Sequence, residues 1–271
     1  MPLDLPRLAA WLRCPVCSAD LAPLAPLTLA CSNGHRHDVN KRGYVSLLGG
    51  GSKHLGDTAE MLDARELVLE SGAYSPIATA VASAARGERI LDAGAGTGYY
   101  LRAALGAHGA SLGLAMDLSP QAVTRAVRSS QRVDGLVADT WRPLPARSGT
   151  ADTILDVFAP RNLPEFHRVL RPHGDLVVVV PRADHLGSLR ADGAMLDIPS
   201  DKAEDVITAA EPLYALHSRE SVAYDLPLTG ALRDALVGMG PSARHASADR
   251  AQSGGPDETR VSVDVLRLTR R

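Results

Sequence analysis

Cysteine is scarce in this chain of 271 residues, which contains only three. An odd number of cysteines argues against a disulfide framework, and no hydrophobic signal stretch precedes them. The longest obvious apolar run, Leu176 to Val180, is far too short to span a membrane. The net charge is only −2, so the molecule as a whole lacks the basic balance typical of nucleic-acid binding. These absences predict a globular protein of the reducing cytoplasm with no membrane partner.

The three cysteines lie close together, and a histidine completes the group. Cys14 and Cys17 form one knuckle, and Cys31 and His35 form a second knuckle after thirteen intervening residues. Two knuckles that each supply two ligands are typical of a tetrahedral Cys₃His zinc site. Four protein ligands leave no open coordination position, so the pattern predicts a structural Zn²⁺. The alternative is three buried or idle thiols and a surface histidine.

Charge is distributed unevenly along the chain. Residues 1–56 carry six Lys and Arg against three Asp, a net charge of +3, which leaves −5 for the rest. A small basic module on an acidic body suits contact with a polyanion. A solvated surface of the zinc module explains the same charge equally well.

A glycine-rich stretch, residues 49–52, follows the zinc segment and predicts a flexible boundary. We therefore expect three parts. Residues 1–48 form a zinc-binding domain, residues 49–86 form a linker with two helices, and residues 87–271 form the large domain.

From residue 89 onward, short strands alternate with helices. This alternation predicts the α/β class, with a mostly parallel sheet and right-handed crossover connections. The segment 175–180 is apolar throughout, as a strand buried on both faces requires. The predicted strands are 89–92, 111–116, 135–138, 153–158 and 175–180, with a last antiparallel strand over 259–268. The predicted helices are 99–107, 120–128 and 164–170.

The first of these strands leads into a glycine loop, residues 94–98, with the sequence GAGTG. Glycine lets the backbone approach a ligand, and the N-terminus of the next helix offers free N–H groups. The dinucleotide-binding fingerprint would require glycine at position 99, where this chain has Tyr99. The loop therefore argues against a nicotinamide dehydrogenase.

Acidic residues on successive strand ends extend this pattern. Asp92 precedes the glycine loop, Asp117 ends the second strand and Asp139 follows the third. Together they resemble a class I S-adenosylmethionine-dependent methyltransferase, with a Rossmann-like sheet. The resemblance implies that the loop passes the methionine part of the cofactor, that Asp117 accepts from both ribose hydroxyls, and that Asp139 lies at the adenine. Alternatively, Asp92 and Asp117 cap the helices that follow them.

The order of zinc module, glycine break, linker helices and methyltransferase sheet resembles the 23S rRNA guanine-N1 methyltransferases of the RlmA type, including relatives that confer macrolide resistance. The resemblance covers nearly the whole chain. It rests on Cys14-Pro15-Val16-Cys17 with Cys31 and His35, on Gly43-Tyr44-Val45-Ser46-Leu47-Leu48, Gly56-Asp57-Thr58-Ala59-Glu60-Met61, Gly94 to Tyr100, Phe158-Ala159-Pro160 and Pro181 to Leu186.

This resemblance implies methylation of N1 of a guanine in hairpin 35 of 23S rRNA, with the zinc domain as the RNA-recognition element. The resemblance is also compatible with a homodimer, and with macrolide resistance as a consequence of the methylation. The implied zinc ligands are Cys14, Cys17, Cys31 and His35. The implied cofactor-binding residues are Tyr74, Gly94, Gly96, Thr97, Asp117, Asp139 and His185. Alternatively, Tyr74 is a packing residue and His185 is a histidine on the surface.

No catalytic residue is assigned from the sequence. Guanine N1 carries a proton at neutral pH, so the reaction needs a base or a group that stabilises negative charge on O6. Asp156 is a candidate base, with a structural role equally open, and Arg161 or Arg182 could offset charge on O6. Two other functions also stay open: a small-molecule methyltransferase, and an RNA-binding factor without catalytic activity.

Overall fold

The computed structural model describes residues 3–49, 56–109, 111–191, 201–240 and 255–271. Residues 50–52 of the predicted glycine break lie outside these ranges. No helix in the described ranges is long and apolar enough to cross a membrane.

The N-terminal part consists of one short helix and four short antiparallel strands. Asp4 begins the helix by accepting a hydrogen bond from the Arg7 backbone N–H at 2.9 Å. The elements are α1 (Leu5–Ala9), β1 (Leu21–Leu24), β2 (Thr28–Cys31), β3 (Arg36–Asn40) and β4 (Tyr44–Ser46).

Two helices, α2 (Ala59–Glu70) and α3 (Ser75–Ala84), connect this part to the rest of the chain. Thr58 caps α2 by accepting a hydrogen bond from the Met61 N–H. Both helices were predicted from the sequence within the linker 49–86.

Strands and helices then alternate as predicted, and the α/β class is confirmed. The elements are β5 (Arg89–Ala93), α4 (Tyr99–Ala107), β6 (Leu112–Asp117), α5 (Pro120–Ser129), β7 (Val133–Val137), β8 (Ala151–Val157), α6 (Leu163–Val169), β9 (Leu170–Pro181), α7 (Gly187–Ala191), α8 (Lys202–Ala210), β10 (Tyr214–Pro227), α9 (Gly230–Gly238) and β11 (Glu258–Arg270).

In the described chain, eleven strands form one sheet in the order β1-β2-β3-β4-β7-β6-β5-β8-β9-β11-β10. The strands from β4 through β9 in this order are parallel, whereas β11 pairs antiparallel with both β9 and β10. The chain first moves outward from β5 to β7 and then returns to β8 on the other side of β5. Such a switch in strand order opens a crevice at the carboxyl ends of the strands, where ligands bind in open α/β sheets.

The zinc module shares this sheet. Strand β4 pairs in parallel with β7, and Tyr44 lies opposite Gly135. A side chain at position 135 would place its Cβ 2.6 Å from the Tyr44 Cβ, so glycine permits this pairing. Trp11 and Leu12 belong to the same buried cluster as Leu91 of β5. The predicted boundary at residue 48 thus lies between segments that share one sheet and one core.

A buried ion pair adds to this attachment. The Arg7 guanidinium donates to both carboxylate oxygens of Asp134, at 2.9 Å from Nε and 2.9 Å from Nη2. The Asp134 side chain on β7 is fully buried, so the two charges compensate each other in a dry environment. Helix α1 is therefore fixed to the parallel part of the sheet.

Candidate functional site

Two separate groups of side chains stand out, and the first is the predicted metal centre. One ligand atom from each of Cys14, Cys17, Cys31 and His35 lies within 4.8 Å of all the others. The Cys31 Sγ atom is 3.6 Å from the Cys17 Sγ and 3.4 Å from the His35 Nδ1. Three sulfur donors and one imidazole at this spacing fit the donor set and size of a tetrahedral Zn²⁺ site.

Backbone amides in the first knuckle favour the thiolate form that binds metal. A hydrogen bond from the Ala19 backbone, followed by one from the Asn33 side chain, lowers the pKa of Cys17 to about 6. Cys14 is fully buried in the core cluster shared with the main sheet. The metal centre therefore lies at the junction of the ribbon and the large sheet.

His37 joins this centre, although the sequence analysis did not select it. Its Nε2 atom lies 3.5 Å from the Cys14 Sγ. His37 lies on strand β3 and His35 directly precedes it, and alternate residues of an extended chain point to the same side. The His-Arg-His spacing is the signal that would have found it. A histidine N–H at a metal-bound sulfur orients that ligand from outside the coordination shell.

The second group occupies the carboxyl ends of β5, β6 and β7 and the loops that follow them, here called the cofactor edge. Asp117 holds the glycine loop, because its Oδ2 accepts from the Gly96 N–H at 2.9 Å and its Oδ1 from the Ser119 N–H at 2.8 Å. Ser119, rather than Asp117, is the N-cap of α5. Each Asp117 oxygen keeps a second lone pair for another donor, such as a hydroxyl group.

Asp92 lies beneath the same loop with a side chain that is almost fully buried. Burial, with a smaller contribution from the Asp117 charge, raises the pKa of Asp92 to about 7. Asp92 also accepts a hydrogen bond from the backbone of Leu101 in the first turn of α4. Gly98 is the N-cap of α4, so Asp92 contacts the first turn of this helix without being its cap residue.

This shifted pKa predicts a pH effect on stability. The folded state holds the Asp92 proton more tightly than the unfolded chain, whose carboxyl has a pKa near 3.8. The free energy that the protonated Asp92 contributes to folding is therefore fully present below about pH 4. This contribution is lost as the pH rises through about 7. We expect Asp92→Asn to match the wild type at pH 4 and to be more stable at pH 8 by about 4 kcal/mol. Denaturant unfolding without cofactor measures both values. The exposed Asp205→Asn is the control, and a constant difference at all pH values would contradict the prediction.

Asp139 extends the cofactor edge to the end of β7. Its side chain is nearly buried, and its Oδ1 accepts from the Trp141 N–H at 3.0 Å. Trp141 itself is 56% exposed, which leaves an aromatic surface beside this carboxylate.

The glycine loop is in close contact with the loop after β8. Gly94 has a φ of +84°, and a Cβ there would lie 2.6 Å from the Ala159 Cβ. Any larger residue at position 94 would push these loops apart. Thr97 is buried within the same turn.

Tyr74, Phe158 and His185 form an aromatic cluster beyond Ala159. The Tyr74 and His185 rings lie 6.3 and 5.9 Å from the Phe158 ring. The His185 Nδ1 accepts from the Ser262 N–H, so its Nε2 carries the hydrogen and faces the Tyr74 oxygen at 3.5 Å. Burial lowers the pKa of His185 to about 4, which keeps the ring neutral. His185 is thus a buried residue and not a surface histidine.

Asp156 is fully buried on β8, two residues before Phe158. Among the described residues, neither of its carboxylate oxygens has a hydrogen-bond partner, and the Arg161 Nη1 lies 3.8 Å from its Oδ1. Burial raises the pKa of Asp156 well above its usual range despite the Arg161 charge. Arg182, the other candidate cation, is exposed.

The sheet order and the glycine loop at its switch point define a methyltransferase fold of the class that uses S-adenosylmethionine. The family model described as "Methyltransferase domain" matches residues 90–174. The model described as "RlmA, N-terminal", a zinc ribbon, matches residues 12–54. The chain is thus an S-adenosylmethionine-dependent methyltransferase with an N-terminal zinc ribbon.

Relatives extend this similarity over almost the entire length. A 23S rRNA (guanine(748)-N(1))-methyltransferase from Streptomyces fradiae is 38% identical, over 93% of this chain and 94% of its own. A protein from Micromonospora griseorubida, provisionally described as a 23S rRNA (guanine-N(1)-)-methyltransferase, is 41% identical over 98% of both chains. The chain belongs to this family of 23S rRNA guanine-N1 methyltransferases, as the resemblance in the sequence implied.

Proposed function

We propose that the protein transfers a methyl group from S-adenosylmethionine to N1 of a guanine in hairpin 35 of 23S rRNA. The observation that carries this proposal is the joint presence of the zinc ribbon and the methyltransferase domain, in a chain 38% identical to a guanine-748 N1-methyltransferase over nearly all its length. The enzyme acts in the cytoplasm, where ribosomes are made, and a homodimer is compatible with this activity.

S-adenosylmethionine supplies an activated methyl group, so the protein must orient the acceptor, remove its N1 proton and exclude water. We assign binding of the donor to the cofactor edge and the aromatic cluster. The residues are Tyr74, Gly94, Gly96, Thr97, Asp117, Asp139 and His185. Asp117 supports this role because it fixes the Gly96 N–H and retains two free lone pairs.

We assign the zinc ligands to Cys14, Cys17, Cys31 and His35, and RNA binding to the surface that the metal holds in shape. The exposed Arg36, Lys41 and Arg42 lie on or directly after β3. A shallow depression of about 750 Å³ lies between this segment and Pro26–Thr28, and Lys41 and Arg42 line it. Cations at the rim of an open groove suit a phosphate backbone. Tyr44 is buried, and its hydroxyl accepts a hydrogen bond from the Asn40 side chain. Both features favour a packing role for Tyr44 over stacking on an RNA base.

Mass spectrometry of 23S rRNA tests the proposal. Expression in a bacterial host lacking the hairpin 35 modification is expected to yield one N1-methylguanine in the nuclease fragment that contains this hairpin. A Gly94→Val variant is the control, because its side chain would collide with Ala159 and block the cofactor loop. Methylation of other RNA only, or no methylated RNA, would refute the proposal.

Hairpin 35 lies close to the ribosomal tunnel that binds macrolides, so we propose that the modification lowers sensitivity to these antibiotics. Macrolide sensitivity is measured in the same host strains. A higher inhibitory macrolide concentration with the wild type than with Gly94→Val is the expected result, and equal concentrations would refute this part alone.

A further inference from the structure

Phe158 has an unusual backbone conformation at the end of β8. Its φ is +55°, in the left-handed region that bulky residues rarely adopt. Its side chain is nevertheless 41% exposed, so burial of the ring does not compensate for the strain. Strained residues of this kind concentrate where a protein binds ligands. The backbone is held by a hydrogen bond from the Phe158 N–H to the Val179 carbonyl at 3.2 Å.

The Phe158 side chain lines a partly enclosed cavity of about 210 Å³. Two of the other lining side chains are cationic, Arg161 and Lys202, and the rest of the wall is apolar. Within the described part of the chain, the lining residues are Phe158, Ala159, Arg161, Val179, Val180, Pro181 and Lys202. An aromatic face combined with two cations in a space of this size suits one flat, electron-rich ring system with acceptor atoms on an edge.

The cavity borders the cofactor edge. Ala159, which lines it, is also the residue that contacts Gly94 of the glycine loop. A ligand in the cavity is therefore next to the loop assigned to the methyl donor.

Asp156 lies close to the positive charge in this cavity, with its Oδ1 3.8 Å from the Arg161 Nη1. Burial raises the pKa of the Asp156 carboxyl well above its usual range, which favours its neutral form beside Arg161. The Arg161 charge also contributes, after burial, to lowering the pKa of Lys202. Two cations that influence each other across one small space create a site for an acceptor-rich edge.

We propose that Phe158, Arg161 and Lys202 form the pocket for the target guanine, with Phe158 stacked on the base and the two cations at its O6 and N7. The inference rests on the proposed function and names the residues that select its substrate. Guanine presents two acceptors, O6 and N7, on one edge, whereas adenine presents a donor amine in place of O6. The pocket thus accepts guanine and rejects adenine.

The same contacts assist the reaction. As the base enters the pocket, N1 loses its proton to hydroxide from the solvent, and the negative charge that remains is shared with O6, where Arg161 and Lys202 stabilise it. The electron pair on N1 then forms the new nitrogen–carbon bond. The carbon–sulfur bond breaks, and its electrons stay on sulfur.

Steady-state kinetics with synthetic hairpin 35 RNA test the pocket. The substrates carry guanine, 7-deazaguanine or inosine at the target position, and the variants are Arg161→Gln, Lys202→Gln and Phe158→Leu. We expect either cation variant to lower kcat/KM for guanine by about ten- to a hundredfold, the scale of one charge-assisted hydrogen bond. Inosine keeps O6 and N7, so each cation variant should lose as much activity with inosine as with guanine.

Removal of N7 identifies the residue that contacts it. The wild type should be less active with 7-deazaguanine than with guanine. The variant that lacks the N7 contact should be equally active with both substrates, so the substituted residue is the one that contacts N7. Phe158→Leu should raise KM, whereas Phe158→Tyr, which keeps an aromatic face, should retain near-normal kinetics. Arg161→Lys should recover part of the activity lost in Arg161→Gln.

Controls separate this inference from the proposed function. Calorimetry with S-adenosylhomocysteine should give the wild-type affinity for the Arg161 and Lys202 variants, and circular dichroism checks that every variant folds. An equal loss of cofactor affinity would assign the cavity to the cofactor and overturn the pocket. Wild-type kinetics in all three variants would also overturn it. Absence of N1 methylation by the wild type would instead refute the proposed function.

Discussion

Cys31→Ser is expected to destabilise the entire protein and not only the zinc ribbon. Structural zinc contributes on the order of 10 kcal/mol to the folding of small zinc domains, and here the ribbon shares a sheet with the catalytic domain. We expect the free energy of unfolding to fall by at least about 3 kcal/mol. Thermal unfolding should show one transition, shifted to lower temperature, and metal analysis should show loss of the bound zinc.

The exposed Ser32→Ala, next to the ligand, is the matched control and should unfold like the wild type. Two separate transitions, with the second at the wild-type temperature, would contradict this prediction. They would mean that the ribbon unfolds on its own despite the β4–β7 pairing and the shared core. Chelation of the metal in the wild-type protein should reproduce the effect of the substitution.

Asp117→Ala is expected to cause the largest loss of cofactor affinity among single substitutions at the cofactor edge. It removes the acceptor for the Gly96 N–H and the proposed partner of the ribose hydroxyls at once. A hydrogen bond to a charged group contributes about 1.5–3 kcal/mol, so we expect affinity to fall by about ten- to a hundredfold. Calorimetric titration with S-adenosylhomocysteine measures this.

Asp117→Asn separates the two contributions, because the amide oxygen still accepts hydrogen bonds but the NH₂ group that replaces the other oxygen cannot accept at all. Its affinity should lie between those of the wild type and the alanine variant. Asp205→Asn, on the exposed first turn of α8, is the control for a change of charge alone. Unchanged affinity in Asp117→Ala would remove Asp117 from the cofactor site.

Local patterns in the sequence predicted much of the fold. The apolar segment 175–180 identified the buried part of β9. Strand β9 nevertheless begins at Leu170, the last residue of the predicted helix 164–170. His173 has a φ of +62°, within the stretch where the pairing of β9 with β8 shifts its register.

Features that depend on distant contacts were not predicted. Strand β10 lies at the edge of the sheet with most of its side chains exposed, so it lacks the apolar pattern of a buried strand. The pairing of β4 with β7 depends on the missing side chain at Gly135, a close approach that no local pattern reveals. Likewise, the glycine loop was recognisable from its spacing, but its closeness to Ala159 was not.

The pairing of β4 with β7 also limits how the ribbon can be re-engineered. Exchange of residues 1–48 with those of a relative would replace β4 but leave its partner strand β7 unchanged. A chimera intended to redirect modification to another nucleotide must therefore carry a compatible β7, including a glycine at position 135. Because β4 pairs directly with β7 in one sheet, the position of the zinc ligands relative to the cofactor edge is set by strand pairing, and the two cannot be moved apart independently.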